Sequence, residues 1–130
     1  MAPAFVDCGA IYYVPDEIIQ IPSERMPSSG ERNLHEGRPF LVVQGQSFCA
    51  DLDSPTVLGM PLSSKVEYKR ETDFLLLKSL SGLKFDSVVI VGLLQPILKS
   101  DLQKKAGKID KFSLEKIQRL LLINLGIIPV

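Results

Sequence analysis

Apolar positions along this chain fall in short clusters, not in long helical stripes. Residues 10–14 (AIYYV) form a β-branched and aromatic run stopped by Pro15, which predicts a strand. Residues 39–44 (PFLVVQ) predict a second strand and 56–62 (TVLGMPL) a third. Residues 74–77 (FLLL) and 87–91 (SVVIV) predict a fourth and fifth, separated by a Ser81-Gly82 turn signal. Gly59 and Pro61 inside the third point to a bulge or a sheet edge. Pro96 breaks the pattern, and residues 97–105 read as a short helical turn closed by Gly107.

Only the last segment repeats at helical period. Leu114, Ile117, Leu121 and Leu125 make one apolar stripe, with Ser113 as expected N-cap, Glu115 in the first turn and Gly126 as terminator. Leu120, Leu122 and Ile123 widen the stripe. Either a second face is buried against another subunit, or the helix lies deep across the sheet. Short strands followed by one helix predict a mainly β fold, a small, strongly bent sheet or barrel with a C-terminal helix. Residues 15–37 contain Pro22, Pro27, Ser28, Ser29 and Gly30, which disfavour regular structure. A connection of that length is either a functional loop or a tolerated surface insertion.

The length of 130 residues fits a single domain, 1–130, with one real core. Net charge is zero, so the chain as a whole is no general polyanion binder, but the charges are unevenly spread. Residues 1–37 hold Asp7, Asp16, Glu17, Glu24, Glu31 and Glu36 against Arg25 and Arg32. Residues 99–119 hold Lys99, Lys104, Lys105, Lys108, Lys111, Lys116 and Arg119 against Asp101, Asp110 and Glu115. This asymmetry fits either a basic face or two halves that attract each other. Cys8 and Cys49 match no zinc or redox spacing, no secretory leader is evident, and the longest apolar run is too short to span a bilayer. The expectation is a cytoplasmic protein with free thiols and no membrane association.

His35 is the single histidine, and no GxSxG, P-loop or GxGxxG occurs, which removes the commonest hydrolase, metal and nucleotide chemistries. What remains is arginine beside hydroxyl. Arg38 precedes Pro39, a strand-entry residue, and therefore stands at a sheet rim. Ser63 and Ser64 close the neighbouring apolar strand. If those two strands pair antiparallel, the start of one meets the end of the other, and Arg38 and Ser63 become neighbours. A guanidinium matches phosphate geometry, and RNA brings its own nucleophile in the 2′-OH, so such a pair suits a phosphodiester. Lys65, Lys69 and Arg70 flank Tyr68, a mixture that can hold phosphates and stack a base, or simply form a solvated hairpin tip.

Several stretches, in order, resemble the MazF/PemK-type toxins: GAIYYV at 9–14, GRPFLVV at 37–43, SPTVL at 54–58 with PLSS at 61–64, DSVVIV at 86–91, then Asp101-Leu102, Gly107-Lys108-Ile109 and Leu125-Gly126-Ile127. The resemblance implies a small SH3-like barrel that acts as a homodimer and cuts single-stranded RNA without a metal or other cofactor. It also implies a 2′,3′-cyclic phosphate product, a 5′-hydroxyl, and a cognate antitoxin that blocks the groove. The family's catalytic arginine falls on Arg38 and its Thr/Ser on Ser63. RNA contacts are then expected from Ser64, Lys65, Tyr68, Lys69, Arg70, Gln44, His35 and Gln95. The chain departs from the family pattern at Ala10, where an aspartate is common, at residues 93–97, which lack an arginine, and in the long acidic loop before Arg38. A non-catalytic, gyrase-binding toxin of the CcdB type, or an inactive interaction module, is the alternative on this barrel. Peptide binding of the SH3 kind is disfavoured because the chain has no tryptophan.

Overall fold

The computed structural model describes residues 5–26 and 37–130. Its strands are β1 (Ala10–Val14), β2 (Arg38–Val42), β3 (Thr56–Ser63), β4 (Phe74–Leu76), β5 (Ser87–Val89), β6 (Gln95–Leu98) and β7 (Lys105–Lys108). The helices are the short α1 (Gln46–Cys49) and α2 (Lys78–Ser81), and the terminal α3 (Lys111–Asn124). The five strands expected from the apolar runs all form. They belong to one curled, antiparallel half-barrel in the order β4-β5-β3-β2-β1-β7, with β6 also paired to β3.

Alternation along β1 and β2 sorts side chains to two cores. Tyr12, Val14, Phe40 and Val42 pack on one face with Val57, Ile97, Leu102 and Cys49. Ile11, Leu41 and Val43 pack on the other with Met60, Leu62, Val89 and Ile117. Both faces of the central ladder are buried, so its strands read as nearly continuous apolar runs.

The third strand is central, not an edge. Pro61 is tolerated there because of where its nitrogen points. Its carbonyl accepts from Ile90 N, so its nitrogen faces the same side of β3. On that side β5 ends with Val89 opposite Leu62 and β6 begins with Gln95 opposite Gly59, leaving an interval in which no donor is needed. The expected bulge lies across from this strand: Val43 N and Gln44 N both donate to Leu58 O. Gly59 is required by close approach, since a Cβ there would stand 2.3 Å from Leu41 O and 2.3 Å from the Phe40 ring.

Residues 97–105 do not form the expected helical turn. β6 runs straight through Pro96, which is tolerated because that strand pairs only with β3. A 3-10 turn (Lys99–Asp101) follows, and then β7 pairs with β1. The terminal helix begins three residues earlier than expected. Asp110, not Ser113, is the N-cap; its carboxylate accepts from Ser113 N (3.0 Å) and Ser113 Oγ (2.7 Å), which holds its pKa below the ordinary carboxylate value. Glu115 therefore falls outside the first turn. Gly126 terminates the helix as expected: it has φ +74°, its N–H bonds Ile123 O, and Ile127 N bonds Leu122 O. The stripe packed on the sheet is Leu114, Ile117, Leu120 and Leu121, whereas Leu125 is exposed. Gln118 Nε2 donates to Val43 O and fixes the helix across the bulge.

The thiols are free, as expected, and both pack at the first core. Burial pushes the Cys49 thiol up to about 11, with Cys8 adding to the effect, and burial also raises Cys8. At pH 8 iodoacetamide should therefore modify both cysteines of the folded chain much more slowly than those of the urea-unfolded chain, with Cys49 the slower of the two, as read by mass spectrometry. Replacing Gly59 by alanine should destabilise the fold by about 2 kcal/mol or more, seen as a urea midpoint lowered by roughly 1 M at unchanged slope.

Candidate active site at the sheet rim

The pairing of β2 with β3 is antiparallel, with Phe40 opposite Pro61, Leu41 opposite Met60 and Val42 opposite Gly59. Continuing that register by two residues sets Arg38 across from Ser63. Residues directly opposite in such a ladder share a face and lie within side-chain reach. On its other side Arg38 pairs with Val14, the last residue of β1. Gly37 turns the chain into β2 at φ +80°, where a Cβ would stand 2.4 Å from Val14 O. The arginine is thus delivered to the mouth of the sheet by three strand ends.

Its guanidinium is held on two sides. Nε donates to Asp16 Oδ1 at 3.2 Å, and Nη1 donates to Leu62 O at 3.2 Å. Asp16 reaches this point because Pro15 ends β1 and the chain makes a 3-10 turn (Asp16–Ile18) beside the same rim. The carboxylate is buried, and the arginine side chain keeps 18% of its surface exposed. Asp16 thus holds the guanidinium from the side of the 3-10 turn and Leu62 O from the side of β3. Ser63 is buried, and its Oγ accepts from Lys65 N at 3.2 Å. Ser64 is exposed beside it.

The basic segment 65–70 leaves Ser63 as a 3-10 turn (Val66–Tyr68), with Tyr68, Lys69 and Arg70 exposed. Its conformation is set from below by Asp73. That buried carboxylate accepts from Arg70 N at 2.9 Å and forms an ion pair with Arg25. Arg25 Nη1 also donates to Tyr68 O at 3.1 Å. Residues 15–26 therefore run as a strap along the rim, with Met26 seated against Val88 and Ile90.

Two other expected contacts lie elsewhere. Gln44 is six residues along from Arg38, about 20 Å at strand rise, and its Oε1 accepts from Leu58 N. Gln95 clasps the strap: its Oε1 accepts from Gln20 N and its Nε2 donates to Gln20 O. His35 lies outside the described residues. Sequence reasoning missed Asp16, Arg25 and Asp73. Only Asp16 had a visible signal, since an acid directly behind a strand-ending proline must stand at the rim where that strand's partner begins.

The curled half-barrel with one terminal helix is an architecture seen in small toxin proteins. An endoribonuclease from a mycobacterial species superposes with a TM-score of 0.66 at 17% identity, covering 100% of this chain and 96% of that one. The Mycobacterium tuberculosis toxin MazF-mt6 gives 0.64 at 16%, covering 90% and 96%. A MazE-MazF structure from Deinococcus radiodurans gives 0.67 at 14%, covering 95% and 99%. At these identities the likeness is one of fold. Among curated proteins no sequence match was found. The family itself follows from the sequence: the chain belongs to the PemK-like, MazF-like toxins of type II toxin-antitoxin systems, whose family model matches residues 9–125.

Removing Arg25 would leave the Asp73 carboxylate buried without its counter-charge. Arg25→Ala should cost about 3 kcal/mol of stability, measured by urea unfolding, whereas the exposed Glu24→Ala should stay within about 0.5 kcal/mol of wild type.

Proposed function

We propose that this chain is the RNA-cleaving toxin of its pair, a metal-independent endoribonuclease acting at specific sites in single-stranded RNA. The reading rests on Arg38, a preformed guanidinium standing across from Ser63 at the rim, within a family of toxins. In the reaction the RNA 2′-oxygen bonds to the adjacent phosphorus and the bond from phosphorus to the 5′-oxygen breaks. The products are a 2′,3′-cyclic phosphate and a 5′-hydroxyl. The 2′-OH proton is lost and the leaving oxygen gains one, both exchanged with water at the open mouth. Arg38 meets the extra negative charge of the phosphorane with its held guanidinium, and charge preorganised where it develops contributes most. Ser63 orients the 2′-OH or the phosphate. A bound strand then passes Ser64 and the segment 65–70, where Lys65, Lys69 and Arg70 face phosphates and Tyr68 stacks a base. Gln44 and Gln95 enter only as contacts farther along that strand, and His35 is a proposed contact outside the described residues.

The partners follow from the same reading. A cognate antitoxin covers the groove, in keeping with solved relatives that include an endoribonuclease in complex with its cognate antitoxin. A homodimer is supported by Leu122, Leu125 and Ile127, apolar residues exposed at the end of α3. The toxin works in the cytoplasm, where its RNA is. No helix among the described residues is long and apolar enough to cross a membrane.

The test is cleavage of a mixed single-stranded RNA pool in excess EDTA, with the cut ends mapped. Fragments should carry 2′,3′-cyclic phosphates and 5′-hydroxyls. Arg38→Ala should lower kcat/KM about 10²- to 10³-fold and Ser63→Ala about tenfold. An Arg38→Ala protein that cuts at the wild-type rate would remove this mechanism, and gyrase inhibition with intact cellular RNA would replace it by the CcdB-type alternative.

A further inference from the structure

We infer that Asp16 is a positioning residue for the reaction, acting through Arg38 without touching the RNA. The inference rests on Arg38 working at the scissile phosphate.

An arginine at a rim is a poor catalyst by default. Its long side chain has several rotatable bonds, and each must be frozen before the guanidinium can meet a developing charge. Here two anchors have already done so. Asp16 Oδ1 takes Nε and Leu62 O takes Nη1, both at 3.2 Å. The two acceptors come from different elements, the turn behind β1 and the end of β3, so they fix the plane of the guanidinium as well as its place. Together they hold the guanidinium at the end of the β2–β3 ladder, where the register continued by two residues sets Ser63 opposite Arg38. The carboxylate is itself buried and rigidly placed, because Pro15 and the 3-10 turn set its backbone.

An opposite role for Asp16 is conceivable on chemical grounds. A carboxylate on a guanidinium resembles a bound phosphate, so the pair would then be a block that substrate displaces. The geometry favours positioning. Asp16 occupies Nε on the side of the strap, whereas Ser63 lies on the side of β3. A phosphate that approaches the guanidinium from the Ser63 side needs no displacement of the carboxylate. Its negative charge nevertheless opposes a second anion nearby, which weakens ground-state binding. Positioning and repulsion therefore act on different kinetic constants: the first raises kcat and the second raises KM.

The experiment uses an oligonucleotide carrying a cut site mapped from the RNA pool, with the full chain, under single-site kinetics. Asp16→Ala should lower kcat about 10²-fold, as a misplaced catalytic group does, while KM stays level or falls. Asp16→Asn keeps an oxygen that accepts from Nε and should recover to within about tenfold of wild type. In an Arg38→Ala background, Asp16→Ala should add no further loss, since the two act as one unit. Glu17→Ala removes an exposed acid from the same turn and should leave both constants unchanged. Thermal melts identify any variant that fails to fold, and Asp16→Asn, which conserves shape, keeps the comparison valid if Asp16→Ala unfolds. A kcat for Asp16→Ala at or above wild type overturns the inference, the second case revealing a displaced block. An undiminished loss in the Arg38→Ala background overturns it too. If Arg38→Ala is inactive while Asp16→Ala is unimpaired, only this inference fails; if Arg38→Ala is fully active, the ribonuclease reading itself fails.

Discussion

The structure depends on the pairing of β2 with its neighbours on both sides while both of its faces are buried. In a half-exposed sheet a slipped strand merely exchanges apolar for polar contacts on one face. Here a shift by one residue would drive Phe40 and Val42 into the space held by Leu41 and Val43, and the reverse. The close seat of the Phe40 ring over Gly59 allows no such exchange. Register is therefore fixed by shape on two faces at once. Because Arg38 is simply the next residue of this strand with the same parity as Phe40, the core also determines where the guanidinium emerges. The catalytic proposal and the fold thus share one cause.

The strap of residues 15–26 adds a second layer of control. It is stitched to the rim by a carboxylate on Arg38, by the reciprocal amide bonds of Gln20 and Gln95, and by Arg25 on Asp73. Each stitch uses a polar group that would otherwise be open to solvent or substrate. The acidic bias of the first 37 residues thereby acquires a local meaning, since Asp16 spends its charge on a cation of the barrel. Arg25 runs against that bias and does the converse, neutralising a buried acid from the following loop.

Much of the architecture was legible in the apolar runs. Five strands, the terminal helix and its Gly126 stop followed from β-branched clusters, period and a single terminator. What escaped was structure without an apolar signature. β7 is Lys-Ala-Gly-Lys, and it forms because β1 offers an unpaired edge, not because its own residues favour extension. β6 was hidden by Pro96, a breaker in a helix but harmless in a strand paired on one side. Asp110 outcompeted Ser113 as the cap because its carboxylate can accept from both Ser113 donors at once. At the rim, antiparallel logic alone predicts Arg38 across from Ser63, and the β2–β3 pairing is antiparallel in the register that this requires. The ion pairs of Asp16 and Asp73 depend on how a loop folds back in three dimensions, and local sequence is silent about that.

The lysines of β7 have an effect beyond this molecule. That strand ends the sheet, and any sheet that ends offers backbone groups to a passing chain. Lys105 and Lys108 stand exposed along this margin, with Lys104 just before them. Two molecules approaching margin to margin would bring like charges together before any ladder could start. Charged margins of this kind oppose edge-to-edge pairing of β-rich chains, and Lys105 additionally ties the margin to Asp7 of its own chain at 3.0 Å.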